Sequence, residues 1–168
     1  MYTITTYAPI ADDDRPAALA ILHESLGTDV TLPPVTPQHF TIICRVKEYA
    51  DAICTSDEII GVASAVIHDN GDGQLLNSAV HREFRKQGIG TELVKQRLDW
   101  LRSLGVRRVT SDAWASRHSV NAAKSLVKNG FRLVKIEPLK FAFCKDCPAC
   151  RPNGCDCGAW VYEALLDA

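Results

Sequence analysis

The sequence has 168 residues, of which 46% are hydrophobic and 23% charged, and its formal net charge is −1. These values are those of a globular protein, and the length suits one domain with its own core rather than two. No apolar run is long enough to span a membrane, and the start Met1–Tyr7 does not have the pattern of a secretion signal, so we expect a cytoplasmic protein with reduced thiols.

The first third of the chain predicts strands and two helices. Tyr and Thr alternate with Ile over Tyr2–Tyr7, which predicts a first strand. Three aspartates, Asp12 to Asp14, supply an N-cap and negative charge for a helix that ends at Gly27. After a proline-containing loop, the apolar residues of Gln38–Ala50 predict a second helix. Two strands are then expected on either side of Ser56-Asp57-Glu58, at Ala52–Thr55 and Ile59–His68.

The rest of the chain predicts further strands and helices that follow a hairpin. Asp69-Asn70-Gly71-Asp72-Gly73 is a strong turn signal, and it leads into a strand at Gln74–Val80. Over Ile89–Leu104, apolar residues recur on one side and charged residues on the other, which predicts an amphipathic helix. The remaining predicted elements are a strand at Val106–Trp114, a helix at Val120–Lys128, and strands at Phe131–Phe143 and Trp160–Leu166.

The junction between the second strand of this hairpin and the following helix has the features of an anion site. Gly88 and Gly90 lack a Cβ atom, so the backbone can turn sharply and its N–H groups can approach a ligand closely. The first turn of a helix has N–H groups without intrahelical acceptors and carries the positive end of the helix dipole. Because Arg82, Arg85 and Lys86 lie in the same stretch, the junction predicts a binding site for phosphate groups.

The pattern Arg85-x-x-Gly88-x-Gly90 differs from the Walker loop and from the dinucleotide fingerprint. It resembles the acyl-CoA signature of the GNAT N-acetyltransferase superfamily, Arg/Gln-x-x-Gly-x-Gly/Ala. Ser119–Phe131, which ends in Leu-Val-Lys-Asn-Gly-Phe, resembles the second motif of that family, usually written Asn-x-x-Ala-x-x-Leu-Tyr-x-Lys-x-Gly-Phe. The resemblance covers Ile59–Lys135. It implies an α/β (α+β) fold with a mixed, mostly antiparallel sheet of about seven strands, flanked by about four helices and splayed at the acyl-CoA site.

The resemblance also implies a substrate pair and a set of contacts. In GNAT enzymes an amine attacks acetyl-CoA directly, so acetyl-CoA is the expected co-substrate and an amine of a small molecule or peptide the expected acceptor. The backbone N–H of Val80 would hold the thioester carbonyl and its developing negative charge. The residues expected to contact CoA are Ala79, Val80, Arg85, Lys86, Gln87, Gly88, Ile89, Gly90, Thr91 and Ser119.

The proton-transfer groups are harder to assign. The family's usual general acid, a tyrosine of the second motif, falls at Leu126, which cannot donate a proton, and Ser119 stands in place of the customary asparagine. The candidates that remain are His81, Asp112 and Tyr162, with His118 or a relaying water as further alternatives. Side chains of these kinds more often have a structural or solvent-facing role than a catalytic one.

Five of the seven cysteines lie close together near the C-terminus, in the spacing Cys-x2-Cys-x2-Cys-x4-Cys-x-Cys. In a reducing compartment such a cluster favours a metal over disulfides, and a structural zinc takes four ligands in a tetrahedron. We expect a metal-binding insertion at 144–158, between the last two strands of a single 1–168 domain. The expected zinc ligands are Cys147, Cys150, Cys155 and Cys157, with Cys144 as a substitute or spare. Disulfides, an iron–sulfur cluster and reactive thiols stay open as alternatives.

Charge is unevenly distributed along the chain. Met1–Ile60 contains nine acidic and three basic residues, a net charge of −6, whereas Arg82–Arg108 contains eight basic and three acidic residues, a net charge of +5. The basic stretch suits a polyphosphate ligand and the acidic stretch a cationic amine, although ordinary surface solvation explains the same charges. No basic-aromatic stripe accompanies the basic stretch, so nucleic acid is not expected as a partner. The protein is expected to be a monomer or homodimer.

The sequence therefore predicts an acyl-CoA-dependent N-acyltransferase. Two other functions stay open. One is a non-catalytic module that binds CoA or a protein partner, which the leucine at position 126 favours. The other is a redox or metal sensor built on the cysteine segment.

Overall fold

The computed structural model describes residues 2–50, 53–116, 119–120, 122–138 and 158–167. Their backbone forms an eight-stranded sheet flanked by three α-helices. The strands are β1 (Tyr2–Pro9), β2 (His39–Ala50), β3 (Ile53–Ile67), β4 (Gly73–Val80), β5 (Arg108–Ser116), β6 (Ser119–Val120), β7 (Arg132–Pro138) and β8 (Gly158–Leu165). The helices are α1 (Arg15–Leu26), α2 (Ile89–Ser103) and α3 (Ala123–Lys128), and short 3-10 segments cover Asp12–Asp14 and Arg82–Phe84.

The strands follow the order β1-β2-β3-β4-β5-β8-β7, and β6 pairs with the end of β5. Neighbouring strands are antiparallel except for β4 and β5, which run parallel. Helix α1 packs on one face of the sheet, against Ile43 and Val62, and α2 packs on the other face, against Leu75 and Val109. This is the predicted mixed, mostly antiparallel fold, and it gives the sheet a buried core on both faces.

The predicted helix at Gln38–Ala50 is wrong, because these residues form strand β2. Ile42 faces the α2 side and Ile43 the α1 side, and both are almost fully buried. A strand covered on both faces carries consecutive apolar residues, so its sequence does not show the alternation of a half-exposed strand. The run of apolar residues therefore looked helical, although β-branched side chains favour the extended conformation.

The predicted break at Ser56-Asp57-Glu58 is also wrong, since β3 continues through these residues to Ile67. Asp57 lies opposite Lys47 of β2 and forms ion pairs with Lys47 and Arg45, at 3.3 and 3.4 Å. Cross-strand pairing of opposite charges thus stabilises a stretch of strand that its polar composition did not indicate.

The other predicted elements lie close to their expected positions. The hairpin turn is present, with Gly71 at φ 83° and the His68 N–H bonded to the Asp72 carbonyl at 2.9 Å. The helix expected at Val120–Lys128 is shorter, because Ser119 and Val120 pair with β5 as β6 before α3 begins. No helix in the described part of the chain has both the length and the apolar character of a membrane span.

Candidate functional site

The gap between β4 and β5 is the centre of the candidate site. These two parallel strands pair only from Gly73 opposite Val109 to Leu75 opposite Ser111. Beyond Leu75, β4 keeps β3 as its partner, whereas β5 turns to β8 and β6. The sheet therefore opens between the second half of β4 and the second half of β5, which are not paired with each other.

A β-bulge in β4 coincides with the start of this gap. Ala65 lies opposite Leu75 and Ala63 opposite Ser78, so Leu76 and Asn77 together face the single residue Ser64. Such a two-against-one arrangement bends the strand and leaves ladder groups unpaired. The alternation of side chains shifts as well. Leu75 packs under α2, whereas Ala79, an even number of residues later, packs under α1 on the opposite face.

The bulge sets the direction in which the Val80 N–H group points. The His81 N–H donates to the Ile60 carbonyl of β3 at 2.8 Å. In an antiparallel ladder, adjacent residues alternate between facing the partner strand and facing away from it. The N–H of Val80 is therefore directed away from β3 and towards the gap. The carbonyl of Val80, on the same edge of the strand, accepts a hydrogen bond from Arg85 Nε at 2.9 Å.

The loop after β4 presents main-chain N–H groups at the mouth of the gap. Lys86 has a φ of 64° and Gly88, which precedes α2, a φ of 87°. The N–H groups of Thr91 and Glu92 already donate to the Gly88 carbonyl, at 3.0 and 3.1 Å. Within the described part of the chain, those of Lys86 to Gly90 have no main-chain acceptor. Donors of this kind at the positive end of a helix form an anion-binding site.

The structure gives a different account of the glycine at each of the two motif positions, 88 and 90. Gly88 lies in the left-handed region of φ, where a side chain is strained. Gly90 lies inside the first turn of α2, and a Cβ atom there would meet only Ser125 Oγ, at an ordinary 3.5 Å. Neither backbone conformation nor packing requires glycine at position 90. A glycine at this position leaves the backbone of the first turn open to close approach by a ligand.

The other residues expected to contact CoA lie around this loop. Arg85, Lys86 and Gln87 are exposed, and Ile89 is buried beneath the start of α2. Arg85 Nη2 also donates to Ser25 Oγ at 3.1 Å, which ties the loop to the end of α1. Ala79 is buried next to Val80. Ser119 lies on β6, opposite Ser116, on the β5 side of the gap.

Sequence reasoning missed Asn129 and Ser125, which support the first turn of α2 from α3. Asn129 Nδ2 donates to the carbonyls of Thr91 and Ser125, at 3.1 and 2.9 Å. The Thr91 hydroxyl donates to Ser125 Oγ at 3.4 Å. These contacts fix the helix end that carries the free N–H groups. The only sequence signal for them was the Asn-Gly pair at the end of a predicted helix, which indicates a helix terminus and not a tertiary contact.

Arg97 also went unmarked in the sequence: it is one of the eight basic residues of Arg82–Arg108, but it is only 2% exposed. Its guanidinium lies between α2 and the sheet. Nε donates to the Leu93 carbonyl at 3.0 Å, and Nη1 donates to the carbonyls of Ser64 and Leu76, at 3.1 and 3.4 Å. Burial lowers the pKa of Arg97 to about 9. A basic residue in the middle of an amphipathic helix predicts a solvated side chain, so nothing in the sequence marked it as buried.

The proton-transfer candidates occupy different surroundings. Asp112 is exposed on β5, one residue past the last β4–β5 pair, and desolvation followed by the charge of Glu137 raises the pKa of its carboxyl. Tyr162 is 4% exposed on β8, within the core cluster under α2, and desolvation raises the pKa of its phenol. Ser111, which neighbours Asp112 on β5, is buried and lies opposite Tyr162. Because side chains alternate along a strand, Asp112 and Tyr162 lie on opposite faces of the sheet.

His81 follows Val80 directly, and its ring lies 5.9 Å from the ring of Phe84. Nδ1 of His81 is shielded from solvent and has no hydrogen-bond partner among the described residues. Leu126, at the position of the expected tyrosine, is 1% exposed in the core under α2. Its side chain thus fills the core and supplies no proton. His118 lies outside the described residues.

On the α1 side, the loop that follows α1 reaches the bulge. Asn77 Nδ2 donates to the Thr31 carbonyl at 3.5 Å. A pocket of about 460 Å³ lies between the start of α1 and this loop. It is lined by Asp12, Arg15, Pro16, Leu19, Thr31 and Leu32. The loop therefore forms a wall beside β4 on the face opposite α2.

The proposed zinc ligands Cys144, Cys147, Cys150, Cys155 and Cys157 all lie outside the described residues. Within the described ranges, no group of three or more His, Cys, Asp or Glu side chains is arranged to hold a metal ion. Cys44, in β2, is fully buried, as expected of a small apolar side chain, although the element around it is a strand.

Comparison with known proteins connects most of this chain to a family. Residues 10–131 match the acetyltransferase (GNAT) family. None of the curated proteins matches the chain significantly.

Several solved structures have the same fold. A GCN5-related N-acetyltransferase from Kribbella flavida aligns with a TM-score of 0.71 at 19% identity, over 96% of this chain and 98% of that one. An IAA acetyltransferase from Bacillus cereus ATCC 14579 aligns with a TM-score of 0.68 at 16% identity, over 97% of this chain and 100% of that one. An acetyltransferase from Bacillus anthracis, in complex with acetyl coenzyme A, aligns with a TM-score of 0.58 at 17% identity, over 79% of this chain and 65% of that one. At these identities the likeness concerns the fold alone.

Proposed function

Because this chain belongs to the acetyltransferase (GNAT) family, we propose that it is an acyl-CoA-dependent N-acyltransferase. It transfers acetyl from acetyl-CoA to a primary amine of a small molecule or peptide. The observation that carries this proposal is the gap between β4 and β5, which opens beside a loop of main-chain N–H groups without main-chain acceptors. A thioester in the gap and a pyrophosphate on the loop would satisfy both features at once.

In the proposed complex, the main-chain N–H groups of Lys86 to Gly90 bind the pyrophosphate of CoA, because those of Arg85 and Thr91 already donate to the carbonyls of Arg82 and Gly88. The N–H of Val80 donates to the thioester carbonyl. The neutral amine attacks the carbonyl carbon, and the oxygen gains negative charge next to that donor. When the carbonyl re-forms, the C–S bond breaks, CoA leaves as a thiolate that takes up a proton, and the nitrogen loses a proton. The enzyme forms no covalent intermediate of its own in this direct transfer.

In this mechanism Asp112 acts as the general base and receives the proton of the amine. It is exposed just beyond the last β4–β5 pair, and its raised pKa brings the carboxylate closer to the basicity that proton transfer requires. Its negative charge would also attract an ammonium acceptor. Tyr162 is buried in the core, and His81 lies at the end of β4. These two remain alternatives for the donor that protonates the leaving thiolate.

The acceptor is proposed to enter from the α1 side. The loop at Thr31 contacts Asn77 there, next to the bulge at which the gap begins. The excess of acidic residues in the first third of the chain favours a cationic acceptor. We expect no nucleic-acid partner.

A structural zinc ion in the 144–158 segment is a separate part of the proposal. Its support is the cysteine spacing, which suits Cys147, Cys150, Cys155 and Cys157 as ligands, with Cys144 as the alternative. Such a segment, rich in Gly, Pro and polar residues, gains its order from the metal because it has few apolar side chains of its own.

The direct test is conversion of acetyl-CoA to CoA with a panel of primary amines, followed by chromatography. Chromatography is preferable to a thiol reagent because the chain has seven cysteines. The double variant Arg85→Glu/Gly88→Glu is the control, since it places negative charge at the phosphate site and should abolish CoA binding. Failure of the wild type to bind CoA would overturn the proposal.

The runner-up function is a non-catalytic CoA-binding or metal- and redox-sensing module on the same fold. The buried Leu126, in place of a proton-donating tyrosine, is the observation that favours it. Tight CoA binding without acetylation of any amine in the panel would support this second function over the first.

A further inference from the structure

Arg97 is a buried cation whose hydrogen bonds in the described structure all go to main-chain carbonyls. Burial of a guanidinium is costly unless its donors are used, and an apolar side chain of similar size often serves stability as well or better. Stability of the core is therefore a weak reason for an arginine in this position. The identity of its acceptors suggests another reason.

The two carbonyls that Nη1 contacts belong to the bulge. Ser64 is the single β3 residue opposite the bulge, and Leu76 is the first of the two β4 residues that face it. A bulge leaves ladder groups without their regular partners, and buried carbonyls without donors are unfavourable. Arg97 supplies those donors from helix α2. The bulge is thus stabilised by a side chain from outside the two strands that form it.

The bulge in turn decides which main-chain groups face the gap. A regular strand would place Leu75 and Ala79 on one face, whereas the bulge sends them to opposite faces. Without the extra residue, the alternation after Leu75 would be reversed, and the Val80 N–H would face β3 rather than the gap. Arg97 and the amide of Val80 are therefore linked through the bulge, which Arg97 contacts at Ser64 of β3 and at Leu76 of β4.

We propose that Arg97 is a positioning residue for acyl transfer: by binding the carbonyls of Ser64 and Leu76, it keeps the β4 bulge in place and the Val80 N–H directed at the thioester. This inference rests on the proposed acyl-CoA function. Arg97 does not touch the reacting atoms itself. Replacement of Arg97 should therefore affect binding of the acyl group and not binding of the phosphates by Lys86–Gly90, the phosphate loop.

The test compares two ligands, acetyl-CoA and CoA, which differ by the carbonyl that Val80 would bind. The protein is the full chain labelled with ¹⁵N, and the signal is the amide resonance of Val80. In the wild type, acetyl-CoA should move this resonance further than CoA does. In Arg97→Met, which removes every donor but keeps an unbranched apolar side chain, the two ligands should move it equally. CoA affinity should remain within about threefold of the wild type, because the phosphate loop is unchanged.

Val94→Ala is the matched control on the same helix. It removes buried apolar contacts, so it should lower the melting temperature, but it leaves the donors of Arg97 in place. The difference between the two ligands should persist in this variant. A purely structural role for Arg97 would make the two variants behave alike.

Several results would overturn the inference. One is an unchanged ligand difference in Arg97→Met, and another is loss of that difference together with loss of CoA binding, since the effect is then general. If Arg97→Met does not fold, Arg97→Lys decides. A lysine keeps the charge without the planar fork, so it should retain only part of the difference, and full retention counts against the inference.

Ligand binding by the wild-type protein distinguishes failure of this inference from failure of the proposed acyl-CoA function. If it binds neither ligand, the acyl-CoA function itself fails, and the role of Arg97 fails with it. If it binds both ligands without a difference at Val80, only the positioning role is lost.

Discussion

At the scale of single residues, the candidate site depends on main-chain groups more than on side chains. Val80 contributes an N–H, and the loop from Lys86 to Gly90 contributes several more. At these positions the residue type affects the site mainly through the backbone conformation that it permits, or because a glycine leaves space where a side chain would stand. Gly88 is needed for its φ, whereas Gly90 leaves room.

The first prediction concerns this difference between the glycines. Gly90→Ala should weaken CoA affinity by about 10-fold or more through a clash with the ligand, yet raise stability by up to about 1 kcal/mol, because alanine is the better helix former. Gly88→Ala should instead cost about 1 to 2 kcal/mol through its left-handed φ. Calorimetric titration with CoA and thermal unfolding of both variants check this. Unchanged CoA affinity in Gly90→Ala would count against close approach of a ligand at this helix end.

The second prediction concerns Asp112. Because its pKa is raised above the ordinary 3.8, the folded state binds its proton more tightly than the unfolded state does. The carboxyl thus contributes stability below pH 3.8, and this contribution is lost as the pH rises through the folded-state pKa. Asp112→Asn should therefore be more stable than the wild type at pH 7, by less than about 1 kcal/mol after solvent screening. The difference in stability between the variant and the wild type should shrink as the pH falls towards 3.8.

The same variant should lose activity. If Asp112 receives the amine's proton, kcat/KM for the amine should fall at least about 100-fold, while CoA affinity stays unchanged. Melting temperatures at two pH values, together with amine kinetics, measure both effects. A variant that is less stable than the wild type at pH 7 would contradict the stability prediction, and one that is equally active would remove Asp112 from the proposed mechanism.

At the scale of elements, α2 is held from two sides. Its first turn is bonded to α3 through Asn129, and its middle is bonded to the β4 bulge through Arg97. The helix therefore connects the phosphate loop at its start with the strand that directs the Val80 N–H. Neither contact involves residues of the glycine motif.

Asn129→Ala tests the first of these connections. It removes hydrogen bonds to the Thr91 and Ser125 carbonyls, so stability should fall by about 1 to 2 kcal/mol. The first turn of α2 should also become less ordered, and CoA affinity should fall a few-fold. Lys128→Ala, at the exposed neighbouring position, is the control and should lie within about 0.5 kcal/mol of the wild type. Chemical denaturation and CoA titration measure the two effects. Wild-type CoA affinity in Asn129→Ala would show that α3 does not support the phosphate loop.

At the scale of the whole molecule, the two halves of the sheet differ in their connections. The strands β1 to β4 form one antiparallel ladder, and β5, β8 and β7 form another, while only three residue pairs join β4 to β5. The candidate site lies where these ladders meet. The segment between β7 and β8 carries the clustered cysteines, so a metal there would affect the second ladder.

The last prediction follows from the proposed zinc. Protein purified without chelator should contain one zinc per chain by elemental analysis, and Cys150→Ser should lose it with a lower melting temperature. Cys44→Ser is the comparison for a buried thiol outside the cluster, and it should keep the metal. A metal-free wild type whose clustered thiols react rapidly would argue for the redox alternative.

The sequence by itself determined the sheet-and-helix class, the hairpin, the amphipathic helix α2 and the glycine loop that follows β4. These features depend on local chemistry: turn residues, helical periodicity, and glycines whose absent side chains are visible in the sequence. Composition alone also indicated that 144–158 differs from the rest of the chain. The cysteine ligands and the roles of Asp112, His81 and Tyr162 stay predictions.

Only the tertiary structure decided that His39–Ala50 forms a strand and not a helix. Burial on both faces of a strand removes the alternation that identifies strands in a sequence. It alone revealed the bulge at Leu76 and Asn77, and with it the direction of the Val80 N–H, since register is a property of two strands together. Burial of Arg97 belongs to the same class. A charged residue in a helix is solvated by default, and Arg97 is a buried donor here because two carbonyls of the β4 bulge lie within hydrogen-bonding distance of its guanidinium.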